Sequence, residues 1–271
     1  MKTILITGAT DGIGFETAKL FAAHDHQLIL HGRSQEKMNA TLQKIHNAFP
    51  DVKIEGVLAD LSKFGDVASL LNIVNAKYSS IDVIVNNAGV LKLPNPITEN
   101  GLDARFVVNT IAPIIITRGL LPILSEQGRI VNLSSAAQSP VQNDAITGKL
   151  PLGDDMQAYA QSKLALTMWV RATTNAFGSS QVNVAVNPGS LLASKMVKEG
   201  FGVAGNDLSI GAQVLFDAAL SNKFRDASGK YFDNDIGAFS EPHPFALIQR
   251  NCDELMVAIE KVINEYFTTP A

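Results

Sequence analysis

Tyr159 and Lys163 stand four residues apart and are of types that could move a proton. They lie in a segment of good helix formers, and a four-residue step puts both side chains on one helix face within reach of each other. A phenol with a pKa near ~10 is a poor base at neutral pH, and lowering it by ~3 units takes about 4 kcal/mol of preferential phenolate stabilisation. A nearby ammonium supplies much of that. Taken alone, such a pair more often marks a solvated helix face.

A second group of residues suits phosphate binding. An apolar strand, Thr3 to Thr7, runs directly into Thr7-Gly8-Ala9-Thr10-Asp11-Gly12-Ile13-Gly14, and a helix of apolar period follows through Phe15, Ala18, Phe21 and Ala22. Glycines allow the tight turn and a close backbone approach, and the helix N-terminus offers N–H groups and a positive dipole end to a pyrophosphate. A Gly-rich turn without a ligand is the alternative, and by this motif alone the less favoured one.

The elements that must position these groups alternate along the chain. Strand-length apolar runs at Thr3 to Thr7, Gln27 to His31, Val52 to Leu58, Ile81 to Asn86, Arg129 to Leu133 and Val182 to Val186 are separated by segments of helical period. The helical segments are Gly12 to Ala23, Gln35 to Asn47, Lys63 to Lys77, Thr98 to Leu124, Asp154 to Phe177, Ile210 to Leu220 and Asp253 to Phe267. Continuously apolar strands such as Ile4-Leu5-Ile6 and Val83-Ile84-Val85 are those of a parallel sheet covered on both faces. The expected fold is therefore α/β: one doubly wound domain over residues 1–271, with a mostly or wholly parallel sheet of about seven strands. Ala136 to Gly153 and Gly189 to Asp207 are long for loops inside a domain and are expected to shape a binding site.

Composition excludes several function classes. With 46% hydrophobic and 18% charged residues, the 271-residue chain is neither disordered, collagenous nor coiled coil. A net charge of −4 gives no basic footprint for nucleic acid. Gly8 interrupts the N-terminal apolar run before signal-peptide length, and Ile111 to Leu124 falls short of the ~20 residues that span a bilayer. A soluble, cytoplasmic protein is expected. The single Cys252 cannot form an internal disulfide, and His24, His26, His31, His46 and His243 show no ligand spacing, so no metal site is expected.

The T-G-x-x-x-G-x-G spacing resembles the short-chain dehydrogenase/reductase superfamily. The likeness extends through Asn86-Asn87-Ala88-Gly89, Asn109, Ser134-Ser135, Tyr159-Ala160-Gln161-Ser162-Lys163 and Pro188-Gly189, in the family's order. Within the superfamily, Tyr159-Ala160-Gln161-Ser162-Lys163-Leu164-Ala165, the long separation of Ser135 from Tyr159, and Ser228-Gly229-Lys230-Tyr231-Phe232 resemble the retinol-dehydrogenase-like branch.

The resemblance implies an oxidoreductase that interconverts a carbonyl and an alcohol by hydride transfer. Tyr159 is then the general acid/base, while Lys163 lowers its pKa and binds the nicotinamide ribose. Ser135, in preference to Ser134, donates to the substrate carbonyl. Asn109 bends its helix and helps hold a water on a proton relay to Lys163, the ribose hydroxyl and Tyr159. The cofactor contacts implied are Thr7, Gly8, Thr10, Asp11, Gly12, Ile13, Gly14, Arg33, Asp60, Leu61, Asn87, Ala88, Gly89, Pro188 and Gly189, with Tyr159 and Lys163. Asp60 could equally cap the helix that follows it. Family members that use NAD carry an acid at the end of the second strand, where this chain has Gly32 followed by Arg33. NADP is therefore favoured over NAD, although Asp11 replaces a frequent basic residue. The usual threonine after Pro188-Gly189 is missing from Ser190-Leu191-Leu192-Ala193-Ser194. Leu191, Leu192, Met196, Phe201 and Val203 suggest an apolar wall for a small-molecule substrate. A homodimer or homotetramer through the helices Thr98 to Leu124 and Asp154 to Phe177 is the implied assembly. The competing reading is a catalytically silent dinucleotide sensor on the same fold.

Overall fold

The computed structural model describes residues 1–193 and 205–267. Eight strands form one sheet: β1 Thr3–Ile6, β2 Gln27–Gly32, β3 Ile54–Leu58, β4 Ile81–Asn86, β5 Leu124–Leu133, β6 Val182–Asn187, β7 Tyr231–Asp233 and β8 Ala238–Ser240. Their spatial order is β3-β2-β1-β4-β5-β6-β7-β8. Every neighbouring pair is parallel except β7 with β8. The sheet thus has one strand more than the seven expected, an antiparallel edge strand of three residues whose register pairs Phe232 with Phe239.

Each inner strand is buried on both faces because helices cover both. Leu5 points into a core shared with α3 Phe64–Lys77, while Ile4 and Ile6 point to the opposite core, shared with α1 Gly12–Ala22 and α2 Gln35–Ala48. A further helical stretch on the α3 side, here called α4, runs from Ala104–Phe106 through a π turn Val107–Ile111 to Ala112–Leu120. The same face carries α5 Asp155–Ala172 and α7 Gln249–Tyr266, and the opposite face carries α6 Leu208–Leu220.

Helix α4 starts six residues later than the expected Thr98. Gly101 adopts φ +76° in a turn closed by Gly101 N–H to the Thr98 carbonyl, and Asp103 then caps the helix through its contact with Arg105 N–H. The π turn has a local cause, because Pro113 has no N–H to give the Asn109 carbonyl four residues before it. Together with the short helical turn that follows, Ala104–Ile123 is 20 residues long and apolar enough to match a bilayer, but 72% of its most apolar window is packed inside the protein. Helix α7 lies across α4 and α5: Leu255, Ile259 and Val262 join the core containing Ile115 and Trp169, and Glu260 pairs with Arg118.

The chain winds from β1 outward to β3 and then returns to place β4 on the other side of β1. At such a reversal the connections leave in opposite directions beyond the carboxyl ends of the strands, which opens a crevice there.

Candidate active site

That crevice is a cleft of about 460 Å³. The glycine loop forms its floor, Arg33, Ser34 and Lys37 mark one part of its wall, and Tyr159, Lys163 and Pro188 another.

The loop's shape is imposed by close packing. Gly8 has φ +66°, and a Cβ on Gly14 would lie 2.3 Å from the Gly8 carbonyl oxygen and 2.4 Å from Asn87 Nδ2. Asn87 donates through Nδ2 to the carbonyls of Thr7 and Gly8, at 2.8 and 3.0 Å. Thr7 is buried, with Oγ1 accepting from the amides of Asn87 and Ala88, both at 3.0 Å. Thr7 and the Asn87 side chain are thus braces of the loop, while Gly8, Thr10, Asp11, Gly12, Ile13, Gly14, Ala88 and Gly89 line the cleft. Asp11 caps α1 by accepting from Gly12 N–H at 2.9 Å.

His31 joins the site without having been expected from its sequence context. It lies in the cleft wall at the end of β2, nearly fully buried. Its Nε2 donates to the Ala59 carbonyl at 2.9 Å and its Nδ1 accepts from Gly8 N–H at 3.2 Å, which fixes one neutral tautomer. Burial lowers its pKa, against the opposing effects of the Ala59 contact and the Asp60 charge. The available signal is one polar residue inside an otherwise apolar strand.

Arg33 is exposed at the end of β2, and Ser34 caps α2 by accepting from Lys37 N–H at 3.3 Å. That cap turns the first helical turn over the cleft and brings in Lys37, a second unexpected member, whose Nζ pairs with Asp11 at 3.0 Å. The carboxylate that weighs against a phosphate partner is therefore matched by a cation. Asp60 lines the cleft beside Leu61, but its Oδ1 accepts from Ser62 N–H at 3.0 Å and Ser62 Oγ at 2.7 Å. Burial raises the Asp60 pKa, and the Ser62 hydrogen bonds and Arg33 charge more than reverse that, leaving it below the ordinary carboxylate value. Asp60 closes its own turn instead of capping α3, whose N-cap is Lys63.

Ser134 and Ser135 separate cleanly. Ser134 is buried, with Oγ 2.6 Å from Thr167 Oγ1, and serves the packing of α5 on β5. Ser135 is half-buried, and its side chain is near enough to Tyr159 to lower the phenol's pKa. Its Oγ accepts from Ala137 N–H at 3.1 Å, which leaves its own proton to donate. Burial raises the Tyr159 pKa and the Ser135 side chain opposes that. Lys163 is buried and held near pKa 8 by desolvation. Its Nζ donates to the Leu133 carbonyl at 2.7 Å and lies 5.7 Å from the centre of the Tyr159 ring.

Asn109 lies behind the cleft wall, within the π turn. Its Oδ1 accepts from Val90 N–H at 2.8 Å, and its Nδ2 donates to the Val90 carbonyl and to Ser162 Oγ, both at 2.9 Å. The side chain ties the cleft wall to α4 and α5.

Pro188 reaches the cleft. Gly189 follows at φ +123°, and Ser190 bonds Asp235 through both its amide and its hydroxyl. Ser190 is thus spoken for by the β7–β8 turn. Leu192 is buried and Leu191 exposed, while Ser194, Met196, Phe201 and Val203 lie outside the described residues. Among the described residues, no group of three or more His, Cys, Asp or Glu side chains could hold a metal ion.

Comparison with known proteins identifies the family. Residues 2–201 match the family model described as short chain dehydrogenase. Human retinol dehydrogenase 13 is 29% identical over 253 residues, which cover 86% of this chain and 76% of that protein. An uncharacterised protein from Mycobacterium paratuberculosis superposes with a TM-score of 0.80 at 23% identity, over 100% of this chain and 96% of the other. A short chain dehydrogenase from Burkholderia cenocepacia, solved in complex with NADP, has a TM-score of 0.69 at 25% identity, over 87% and 97% of the two chains. The chain belongs to the short chain dehydrogenase family, resembles its retinol-dehydrogenase-like branch, and is an NAD(P)-dependent oxidoreductase.

Proposed function

We propose that the protein uses NADP(H) to interconvert a carbonyl and an alcohol on a small molecule, with Tyr159 as general acid/base. The observation that carries this reading is the placement of Tyr159 beside buried Lys163, 5.7 Å from ring centre to Nζ, in a cleft whose wall also presents Arg33 and Lys37. The glycine cradle, which a Cβ at position 14 would fill, fits a pyrophosphate. Arg33, Ser34 and Lys37 would hold a 2′-phosphate, Asp60 and Leu61 the adenine, Ala88 and Gly89 the adjoining ribose, and Lys163, Pro188 and Gly189 the nicotinamide half. The Burkholderia relative, solved with NADP, supports the choice of cofactor. When bound, NADPH supplies the hydride.

The chain's own groups supply the rest. With its pKa raised by burial, Tyr159 is a protonated phenol at neutral pH and can give its proton to the substrate oxygen during reduction. Ser135 donates to the same oxygen as negative charge develops there. Lys163, charged below about pH 8, favours the phenolate left behind. A homodimer or homotetramer would have to form on a face other than the outer sides of α4 and α5, across which α7 lies.

The test is a steady-state assay with NADPH and NADH against a panel of aliphatic and aromatic aldehydes and ketones, with NADPH binding followed by fluorescence. Turnover by wild type, lost in Tyr159→Phe while NADPH binding persists, is expected. Binding with no oxidation across the panel would make the protein a dinucleotide sensor.

A further inference from the structure

Ser135 is gripped from a part of the chain that lies beyond residue 201, where the family match ends. Tyr231, on β7, donates from its hydroxyl to the Ser135 carbonyl oxygen at 3.1 Å. Gln138 Nε2 donates to the same oxygen at 2.9 Å, and Gln138 Oε1 in turn accepts from His243 N–H at 2.9 Å. A carbonyl oxygen has two lone pairs, and both are engaged here. With its peptide plane fixed in this way and its Oγ fixed by Ala137 N–H, Ser135 has little freedom left except where its hydroxyl proton points.

Tyr231 suits this task. The side chain is 5% exposed and packed into the core, so the ring is immobile. Burial, with the charges of Asp233 and Asp235, pushes its pKa well above the usual phenol value, so it stays an O–H donor throughout any working pH range. The carbonyl it holds belongs to the residue whose side chain meets Tyr159. A donor must point at the developing oxyanion to within a few tenths of an ångström to be effective, and a loop residue needs outside support for that.

We propose that Tyr231 and Gln138 are positioning residues for the reaction: they lock the Ser135 peptide so that its hydroxyl faces Tyr159 and the substrate oxygen. The inference rests on the reading of Ser135 as the donor, and it gives the C-terminal quarter of the chain a part in catalysis.

The test is a double-mutant cycle on the single-turnover rate of carbonyl reduction by NADPH, followed across pH with benzaldehyde or the panel member that wild type reduces fastest. Tyr231→Phe removes only the hydroxyl. It should slow the step about tenfold, leave the NADPH Kd unchanged, and leave the alkaline limb, set near pH 8 by Lys163, where it lies in wild type. Gln138→Leu should do the same and serves as the second variant should Tyr231→Phe fold poorly. In the Ser135→Ala background, Tyr231→Phe should add nothing. Equal losses with and without Ser135, or an unchanged rate in both single variants, would overturn the proposal while leaving the catalytic reading intact. If Ser135→Ala alone were silent, the donor role of Ser135 would fail and this inference with it.

Discussion

The ammonium of Lys163 donates to the Leu133 carbonyl oxygen at 2.7 Å, at the end of β5 and one residue before the serine pair. This one contact holds a charge that burial otherwise disfavours, and desolvation brings the lysine pKa from 10.5 to about 8. Between those values the unfolded chain binds more protons than the folded one, so stability from this group rises with pH from about 8 to 10.5. At neutral pH the buried charge is a net cost. A tenfold loss of proton affinity on folding corresponds to about 1.4 kcal/mol, and the Leu133 hydrogen bond returns roughly 1 kcal/mol. Lys163→Met should therefore stabilise the cofactor-free protein at pH 7 by about 2 kcal/mol while abolishing turnover. Urea unfolding at pH 7 and pH 10 checks this: the gain must shrink at the higher pH, and a variant less stable than wild type at pH 7 would refute it.

The proposed preference for NADP rests on two cations of the cleft wall. Arg33 is exposed at the end of β2, and Lys37 is held by Asp11 at 3.0 Å. A charge-assisted contact to a phosphate is worth about 1.5 to 3 kcal/mol, so Arg33→Ala should cost NADPH roughly tenfold to a hundredfold in kcat/KM. Lys37→Ala should cost less, because its ammonium is already shared with Asp11 at 3.0 Å. NADH should be nearly unaffected by either. Wild-type preference for NADH, or equal loss of both cofactors in Arg33→Ala, would count against the assignment. An acid at position 32 is a poor probe of the same question: a Cβ there would lie 2.6 Å from Thr10 Cγ2, so Gly32→Asp should disturb the glycine loop and weaken both cofactors.

What can be read in the sequence is what is local to it. The β1–glycine–α1 segment and the Tyr159/Lys163 pair each carry their geometry in a few consecutive residues, and Gly8, Thr10 to Gly14, Tyr159 and Lys163 line the cleft while Thr7 braces it. Lys37 escapes notice because its place depends on how Ser34 turns the chain into α2, and Tyr231, though part of a quoted motif, shows no role there because its partner is 96 residues away. Strands β7 and β8 have three residues each, too short for a periodic signal, and exist through pairing with β6 and with each other. The start of α4 does carry a local signal that the longer expected helix overran, since Asn100-Gly101 is a turn dipeptide and Asp103 a capping type. Helix α7 itself is legible, but not that it lies over α4 and α5.

The serine pair offers a test of position against chemistry. Ser134 spends its hydroxyl on Thr167 in the interior, and Ser135 presents its hydroxyl to Tyr159. Ser134→Ala should cost about 1 to 2 kcal/mol in stability, by leaving Thr167 with one partner fewer, and little in kcat. Ser135→Ala should leave stability nearly unchanged and lower kcat by about a hundredfold or more. Thermal denaturation and kcat measured on both variants decide it, and the opposite pattern would exchange the roles of the two residues.

His31 links the stability of the cofactor cleft to acidity. The fold needs the neutral ring, since Nδ1 must accept from Gly8 N–H while Nε2–H donates to Ala59. Burial holds its pKa below 6.5, and the carboxylate facing it, Asp60, only partly offsets that. The unfolded chain therefore binds a proton below pH 6.5 that the folded chain resists, so this group's contribution is intact above that pH and is lost as pH falls toward the lowered folded value. Protonation also puts an N–H where the Gly8 amide needs an acceptor, which loosens the turn at φ +66° that shapes the glycine cradle. NADPH affinity should consequently weaken as pH falls below 6.5 toward the lowered folded value, more than phosphate ionisation alone accounts for. His31→Gln should bind more weakly than wild type at pH 7.5, because one amide cannot reproduce both ring contacts, but should have a flatter affinity profile below pH 6.5. Fluorescence titrations at half-unit steps compare the two slopes, and parallel profiles would show that His31 does not titrate in this range.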